Sequence, residues 1–172
     1  MGKNTQQKTG SPVLREFSSG GIVYRKFDGE IKWLVAASVP SKMFPKVVWR
    51  LQKGWIDNKS HHVPGPMASG KVKADESSLQ KAAIREVAEE GGIEAKIVQK
   101  VGSEKIFFKH PARGLIIKFV TYYLMQWLKD LPEGFDEETS EVLWLPYEEA
   151  RKKLSYSGEK KILDKAKNLL PL

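Results

Sequence analysis

Three glutamates that would share one helical face are the residues of this chain whose type and spacing could do chemistry. Glu86, Glu89 and Glu90 lie within Arg85-Glu86-Val87-Ala88-Glu89-Glu90-Gly91-Gly92-Ile93. Related as i, i+3 and i+4, they project side by side from an α-helix. Like charges so close repel, which destabilises the helix unless something neutralises them. A hard divalent cation does so, because Mg²⁺ takes carboxylate oxygens and fills its remaining positions with water and phosphate oxygens. Arg85, adjacent in sequence, is a candidate to orient one carboxylate through a forked pair of hydrogen bonds. A merely solvated acidic face has the same spacing, so the surrounding residues must decide.

The glutamates need a helix, and the pattern predicts one from Ser77 to Glu90. Leu79, Ala82, Ala83, Ile84 and Val87 supply its apolar side. Ser77 or Ser78 is the expected cap, and Gly91-Gly92 the stop. Upstream, Gly20-Gly21-Ile22-Val23-Tyr24 and Lys32-Trp33-Leu34-Val35-Ala36-Ala37 read as a β-hairpin with Asp28-Gly29 at its turn. Val47 to Leu51 reads as a third strand, ending at Gln52-Lys53-Gly54. Residues 57–75, with Pro64-Gly65-Pro66 and Ser69-Gly70, have loop composition. Loops of that length in compact domains often serve as lids or binding elements. Downstream, Ile93 to Val101, Glu104 to Lys109 and Leu115 to Leu128 read as strands, with a turn over His110 to Gly114. An acidic loop from Asp130 to Ser140 leads to a strand, Glu141 to Leu145, and helices follow over Tyr147 to Leu154 and Gly158 to Leu170. Strands, a central helix, more strands and terminal helices predict an α/β fold with a mixed sheet packed between helices.

The string R-E-V-A-E-E-G-G-I resembles the ending of the Nudix box, R-E-apolar-x-E-E-x-G-apolar, at every fixed position. Trp49-Arg50-Leu51-Gln52-Lys53-Gly54 is similar to the family's W-x-L-P-K-G segment. Gly20-Gly21-Ile22-Val23 looks like its opening strand, and Trp144-Leu145-Pro146-Tyr147-Glu148-Glu149-Ala150 like its late strand-to-helix junction. The first half of the box departs from the pattern. Eight residues, not seven, separate Glu76 from Arg85, and two glycines compete for the opening position. Gly70 has the expected five residues before Glu76; Gly54 has 21 but the better flanking sequence. Gly54 is the preferred reading, with residues 58–75 as an insertion in a domain spanning 13–172 and a disordered tail over 1–12. The resemblance implies an α/β/α sandwich. It implies that Glu86, Glu89 and Glu90 hold one or more Mg²⁺ or Mn²⁺ ions, with the main-chain carbonyl at Lys53 or Gly54. The base would be a box glutamate, with Glu86 and Glu89 as catalytic candidates beside Arg85, or a downstream carboxylate, Glu138 or Glu141.

Family members differ in substrate, so the box specifies reaction type alone. The order of motifs is similar to that of diadenosine polyphosphate hydrolases, and also to diphosphoinositol polyphosphate hydrolases and RNA 5′-pyrophosphohydrolases. A dinucleoside polyphosphate needs aromatic faces and cations: Phe107, Phe108, Tyr122 and Tyr156 are candidates for a base, and Lys53, Lys105, Lys109, Arg113 and Lys118 for phosphates. The expected partner is a small polyphosphate, with an RNA end as a second option and a monomer or homodimer as the assembly. The other class is a non-catalytic module for nucleotide or RNA, against which the three glutamates speak. His61-His62 is a poor metal pair, since neighbours in extended chain point opposite ways.

Composition excludes several alternatives. There is no cysteine, hence no disulfide, thiolate metal site or cysteine nucleophile, which fits a cytoplasmic setting. No apolar stretch approaches the roughly 20 residues that span a bilayer. The net charge of +8 is concentrated: residues 1–75 hold 13 Lys+Arg against 5 Asp+Glu, while the remainder balances at 16 against 16. A basic half attracts phosphate-rich ligands, yet no recognised DNA-binding motif is present.

Overall fold

The computed structural model describes residues 12–171, so the expected tail lies, except for Pro12, outside the described residues. Strand β1 (Leu14–Phe27) turns through Asp28 and Gly29, both at positive φ, into β2 (Glu30–Ser38). Two positive φ values make the two-residue turn that matches strand twist, which is why Asp-Gly stands there. After β2 come two short strands, β3 (Trp49–Arg50) and β4 (Gln52–Trp55), in place of the single strand expected over 47–51. Segment 57–75 is more ordered than its composition suggests. It contains a small ribbon of β5 (Asn58–Ser60) and β6 (Val63–Pro64), and the Asp57 carboxylate accepts the backbone N–H groups of Met67 and Ala68 at 3.1 and 2.7 Å.

Helix α1 (Glu76–Gly91) begins one residue earlier than expected, because Asp75 and not a serine is its cap. The Asp75 carboxylate accepts the Ser78 N–H at 2.7 Å, which holds its pKa below the usual range. An aspartate there also complements the positive end of the helix. Gly92, left-handed at φ 68°, closes the helix. Ala82, Ala83 and Val87 face the sheet as expected, but Ile84 is exposed.

Strands β7 (Ile93–His110) and β8 (Gly114–Asp130) form a long antiparallel hairpin. The two shorter strands expected between 93 and 109 are one, running through an irregularity at Lys100/Gly102. Glycine in a strand marks a bulge as readily as an end. Strand β9 (Thr139–Leu145) pairs with β2, and helices α2 (Tyr147–Lys153) and α3 (Ser157–Asn168) complete the chain. The sheet runs β3-β2-β1-β8-β7, with β4 also on β1 and β9 also on β2; only β1 and β8 are parallel within it.

Each face of the sheet has its own core. Val23, Leu34, Tyr123 and Met125 pack under α1 with Ala83 and Val87. Ile22, Trp33, Val35, Tyr122 and Leu124 pack under α2 and α3 with Ala150, Ile162 and Leu163. The architecture is therefore the α/β/α sandwich. One core residue is out of keeping: Gln52 has no exposed surface, and among the described residues neither atom of its side-chain amide has a partner. Unpaired buried amides cost about 1–3 kcal/mol. Gln52→Met, similar in shape, is expected to raise the thermal midpoint by about 2–6 °C, measurable by calorimetry.

Candidate active site

Helix α1 runs across β4, and the absence of a side chain at Gly54 allows the close approach. A Cβ on Gly54 would overlap the carboxyl carbon and both oxygens of Glu86. Strand β4 is itself seated against β1, where Gly54 pairs with Ser19 and Lys53 with Gly20. Gly70, the other candidate, lies at a positive-φ turn against the Phe17 ring. The structure thus puts Gly54, and not Gly70, beside the glutamates.

Arg85 ties the same two elements together. Its guanidinium donates to the carbonyl oxygens of Trp55 and Ile56 at 2.6 and 3.3 Å, and to Glu86 Oε1 at 3.2 Å. Glu89 lies 4.0 Å from its Nε. This is a clasp between helix and strand, not the forked pair on one carboxylate that adjacency suggested, because two of its donors go to the main chain.

Glu90 is almost wholly buried. It accepts the Lys53 N–H at 3.1 Å and pairs with Arg50 at 3.4 Å. Burial pushes its pKa up to about 8, with the Glu86 charge adding to the shift and Arg50 opposing it. Burial likewise raises Glu86 to about 7, where Arg85 opposes and Glu89 and Glu138 add. Glu89 is half-exposed and also raised, by desolvation first and then by Asp136 and Glu138. Glu138 therefore belongs to the same acidic field. Glu141 does not: it sits exposed on β9, opposite Ala37.

Among the described residues no three carboxylate or imidazole side chains close around a single point. Glu86 is turned to Gly54, Glu90 to Arg50 and Lys53, and Glu89 outward. The donor set nevertheless fits a hard cation. Mg²⁺ is ordinarily held by one or two carboxylates, with waters and substrate phosphates completing its octahedron. Two buried carboxyls raised to about 7 and about 8 are groups whose ionised forms lack sufficient neutralisation.

Cationic groups gather about Glu90. Lys118 is half-buried on β8, opposite Glu16 of β1. Burial lowers its pKa, and the charges of Lys53 and Arg50 lower it further while Glu16 and Glu90 oppose them. Arg50, which sequence reasoning passed over, thus joins the expected Lys53 and Lys118. The Lys53 ammonium is engaged with Glu159 at 2.6 Å, and Glu159 also accepts the Leu51 N–H at 3.3 Å. Glu159, from α3, had no sequence signal.

The remaining candidates lie apart. Tyr122 has no exposed surface, so no base can stack on it; its hydroxyl lies 3.4 Å from Glu104 and 3.5 Å from Glu159. Lys105 rests over the rings of Phe107 and Phe119 on the long hairpin. Tyr156 is half-exposed at the start of α3. Glu76 accepts the Tyr123 hydroxyl at 2.6 Å and pairs with Lys100 at 3.1 Å, joining α1 to the sheet away from the carboxylates. A cavity of about 330 Å³ opens beside Glu89, walled by Leu131, Phe135 and Asp136.

Residues 35–166 match the NUDIX domain. The chain belongs to the NUDIX family. The chain is 29% identical over 159 residues to a Mycobacterium tuberculosis protein that bears the provisional name mutator protein MutT4. That match covers 92% of this chain and 57% of the relative, so the chain spans little more than half of that protein's length. The fold is shared with a C. elegans Ap4A hydrolase (25% identity, TM-score 0.58, covering 93% of this chain and 100% of the other). The same enzyme in a binary complex gives a TM-score of 0.62 at 23% identity, covering 89% and 96%. The NUDIX domain of Shewanella oneidensis NrtR, solved with ADP ribose, superposes with a TM-score of 0.60 at 17% identity, covering 98% and 95%. Among the described residues no helix is long and apolar enough to cross a membrane.

Proposed function

We propose that this chain is a divalent-cation-dependent pyrophosphohydrolase that cleaves a phosphoanhydride bond in a nucleoside diphosphate joined to a second group, with diadenosine tetraphosphate as the first-choice substrate. The observation that carries this reading is the seating of Glu86 against the Gly54 backbone, with the raised carboxyl of Glu90 behind it. Glu86, Glu89 and Glu90, with the Gly54 carbonyl, are the residues that would hold Mg²⁺ or Mn²⁺. When bound, such a cation neutralises phosphate oxygens and acidifies a nearby water.

The chain's own residues do the rest. Glu86, the carboxylate seated against Gly54, is our candidate to accept the proton of the attacking water. Arg85 holds it in place through the main chain of β4. Arg50, Lys53 and Lys118 offer positive charge to a phosphate chain laid along β4 and β8. Residues 58–75 are read as an insertion whose ribbon stands next to Arg85's anchoring carbonyls and sets selectivity. The Ap4A hydrolase likeness supports the substrate choice.

The presence of Glu86, Glu89 and Glu90 together speaks against a non-catalytic nucleotide-binding module. The experiment is the product pattern. With Mg²⁺, diadenosine tetraphosphate and one water are expected to give AMP and ATP on anion-exchange chromatography. Two ADP would overturn asymmetric cleavage. Release of neither nucleotide nor phosphate from diadenosine tetraphosphate, nucleoside triphosphates, 5′-triphosphorylated RNA and inositol pyrophosphates would overturn the hydrolase reading.

A further inference from the structure

The end of the molecule beyond the start of α1 carries a basic surface outside the carboxylate cluster. It has two parts. Segment 58–73 contains Lys59, Lys71, Lys73, His61 and His62 and no Asp or Glu; the hairpin tip 105–115 contains Lys105, Lys109, His110 and Arg113 and again no Asp or Glu. A chain of contacts joins them. Gly70 packs on the Phe17 ring, Phe17 stacks on Phe119 at 5.2 Å with 13° between planes, and the Lys105 ammonium lies 5.7 Å from Phe119 and 5.4 Å from Phe107. The two segments therefore form one face.

Phe107, at 60% exposed, is the most exposed large apolar side chain among the described residues. On a surface this polar, an aromatic ring backed by an ammonium is not explained by the core, to which it does not belong. Lys71, Lys73, Lys105 and Lys109 of the two segments are all exposed. Arg113 is taken up by the buried Glu16, but the open ring and the exposed lysines offer what an unpaired nucleotide strand requires: a stacking platform and positive charge along its backbone. Duplexes hide their base faces and leave the ring idle.

We propose that this face binds single-stranded nucleic acid, with Phe107 stacking one base and the lysines of segment 58–73 and of the hairpin meeting the phosphates. The face adjoins the carboxylate site through Ile56, whose N–H donates to the Phe17 carbonyl at 3.2 Å and whose carbonyl accepts from Arg85. A strand held here would reach that site with its end. Binding itself requires no hydrolysis, so it is measured in EDTA, and turnover of diadenosine tetraphosphate is measured separately in Mg²⁺. Either can fail alone.

The probe is a fluorescein-labelled 12-nucleotide oligo(A) RNA, followed by anisotropy from 50 to 300 mM KCl. Saturable binding is expected, with log K falling against log[salt] at a slope of roughly −2 to −3, as three or four phosphate contacts on a single strand give. Phe107→Ala is expected to weaken binding about 10-fold without changing the slope, and Phe107→Trp to restore it. Lys73→Glu with Lys109→Glu is expected to weaken binding and flatten the slope. An RNA duplex should bind more weakly and ignore Phe107→Ala. No saturable binding, indifference of oligo(A) to Phe107→Ala, or binding of phosphatidylserine vesicles in preference to oligo(A) would each overturn the assignment.

Discussion

Gly54→Ala is expected to lower kcat on the polyphosphate substrate by about 100-fold or more while the thermal midpoint moves by only a few degrees. The two effects separate for a geometric reason. The new methyl would fall on the carboxyl group of Glu86, not on backbone. A glutamate carboxyl is the far end of a flexible chain, so it swings away at little cost to the fold. Gly54 has no positive φ, so alanine introduces no backbone strain. Displacing a reacting carboxylate by about 1 Å, however, costs on the order of 100-fold in rate. Gly70→Ala should do the reverse. At φ 78° and against the Phe17 ring, alanine is strained and the midpoint falls, while kcat holds because the carboxylates lie elsewhere. Kinetics and melting curves of the two variants together show which glycine serves the site. Equal kcat for wild type and Gly54→Ala would remove the close approach of β4 from the mechanism.

Those two glycines also show how far the sequence can be read. Spacing favoured Gly70 and flanking residues favoured Gly54, and only the path of β4 along β1 puts Gly54 beside α1. The helix, its glutamates, the first hairpin and the sandwich were legible because periodicity and turn chemistry are local properties. Helix α1 was displaced at its start because Asp75 outcompetes the serines that follow as a hydrogen-bond acceptor. Tyr122 looked like a stacking residue because β-strand alternation gives facing without depth: it faces the α3 side, where the helix covers it completely. Arg50 and Glu159 were invisible for a related reason. Each acts through partners distant in sequence, Arg50 on Glu90 of α1 and Glu159 on Lys53 of β4. Long-range pairing of charges leaves no periodic trace in either segment.

The metal-free protein should lose stability as pH rises from 5 to 8, the opposite of what paired carboxylates ordinarily cause. The sign follows from proton binding. Glu86 and Glu90 begin from an ordinary value of 4.5 in the unfolded chain and reach about 7 and about 8 in the fold. Below pH 4.5 both states hold these protons, and the native state bears no penalty. Between 4.5 and 7 to 8 only the native state holds them, so each step upward in pH favours unfolding. Above pH 8 both states have released them and the loss is complete. For Glu86, which keeps little exposure, it amounts to about 3 kcal/mol at most, and Glu90 acts in the same direction. Melting curves in EDTA should therefore fall by on the order of 6 °C across this range. Adding Mg²⁺ should restore more of the midpoint at pH 8 than at pH 5, since a cation binds the ionised carboxylates and competes with protons for them. Glu86→Gln isolates the effect. It should melt higher than wild type at pH 8 in EDTA, match it near pH 5, and lose turnover by about 100-fold or more. A midpoint that stays level or climbs from pH 5 to 8 in EDTA would mean that these carboxyls are neutralised within the protein, leaving a cation nothing to relieve.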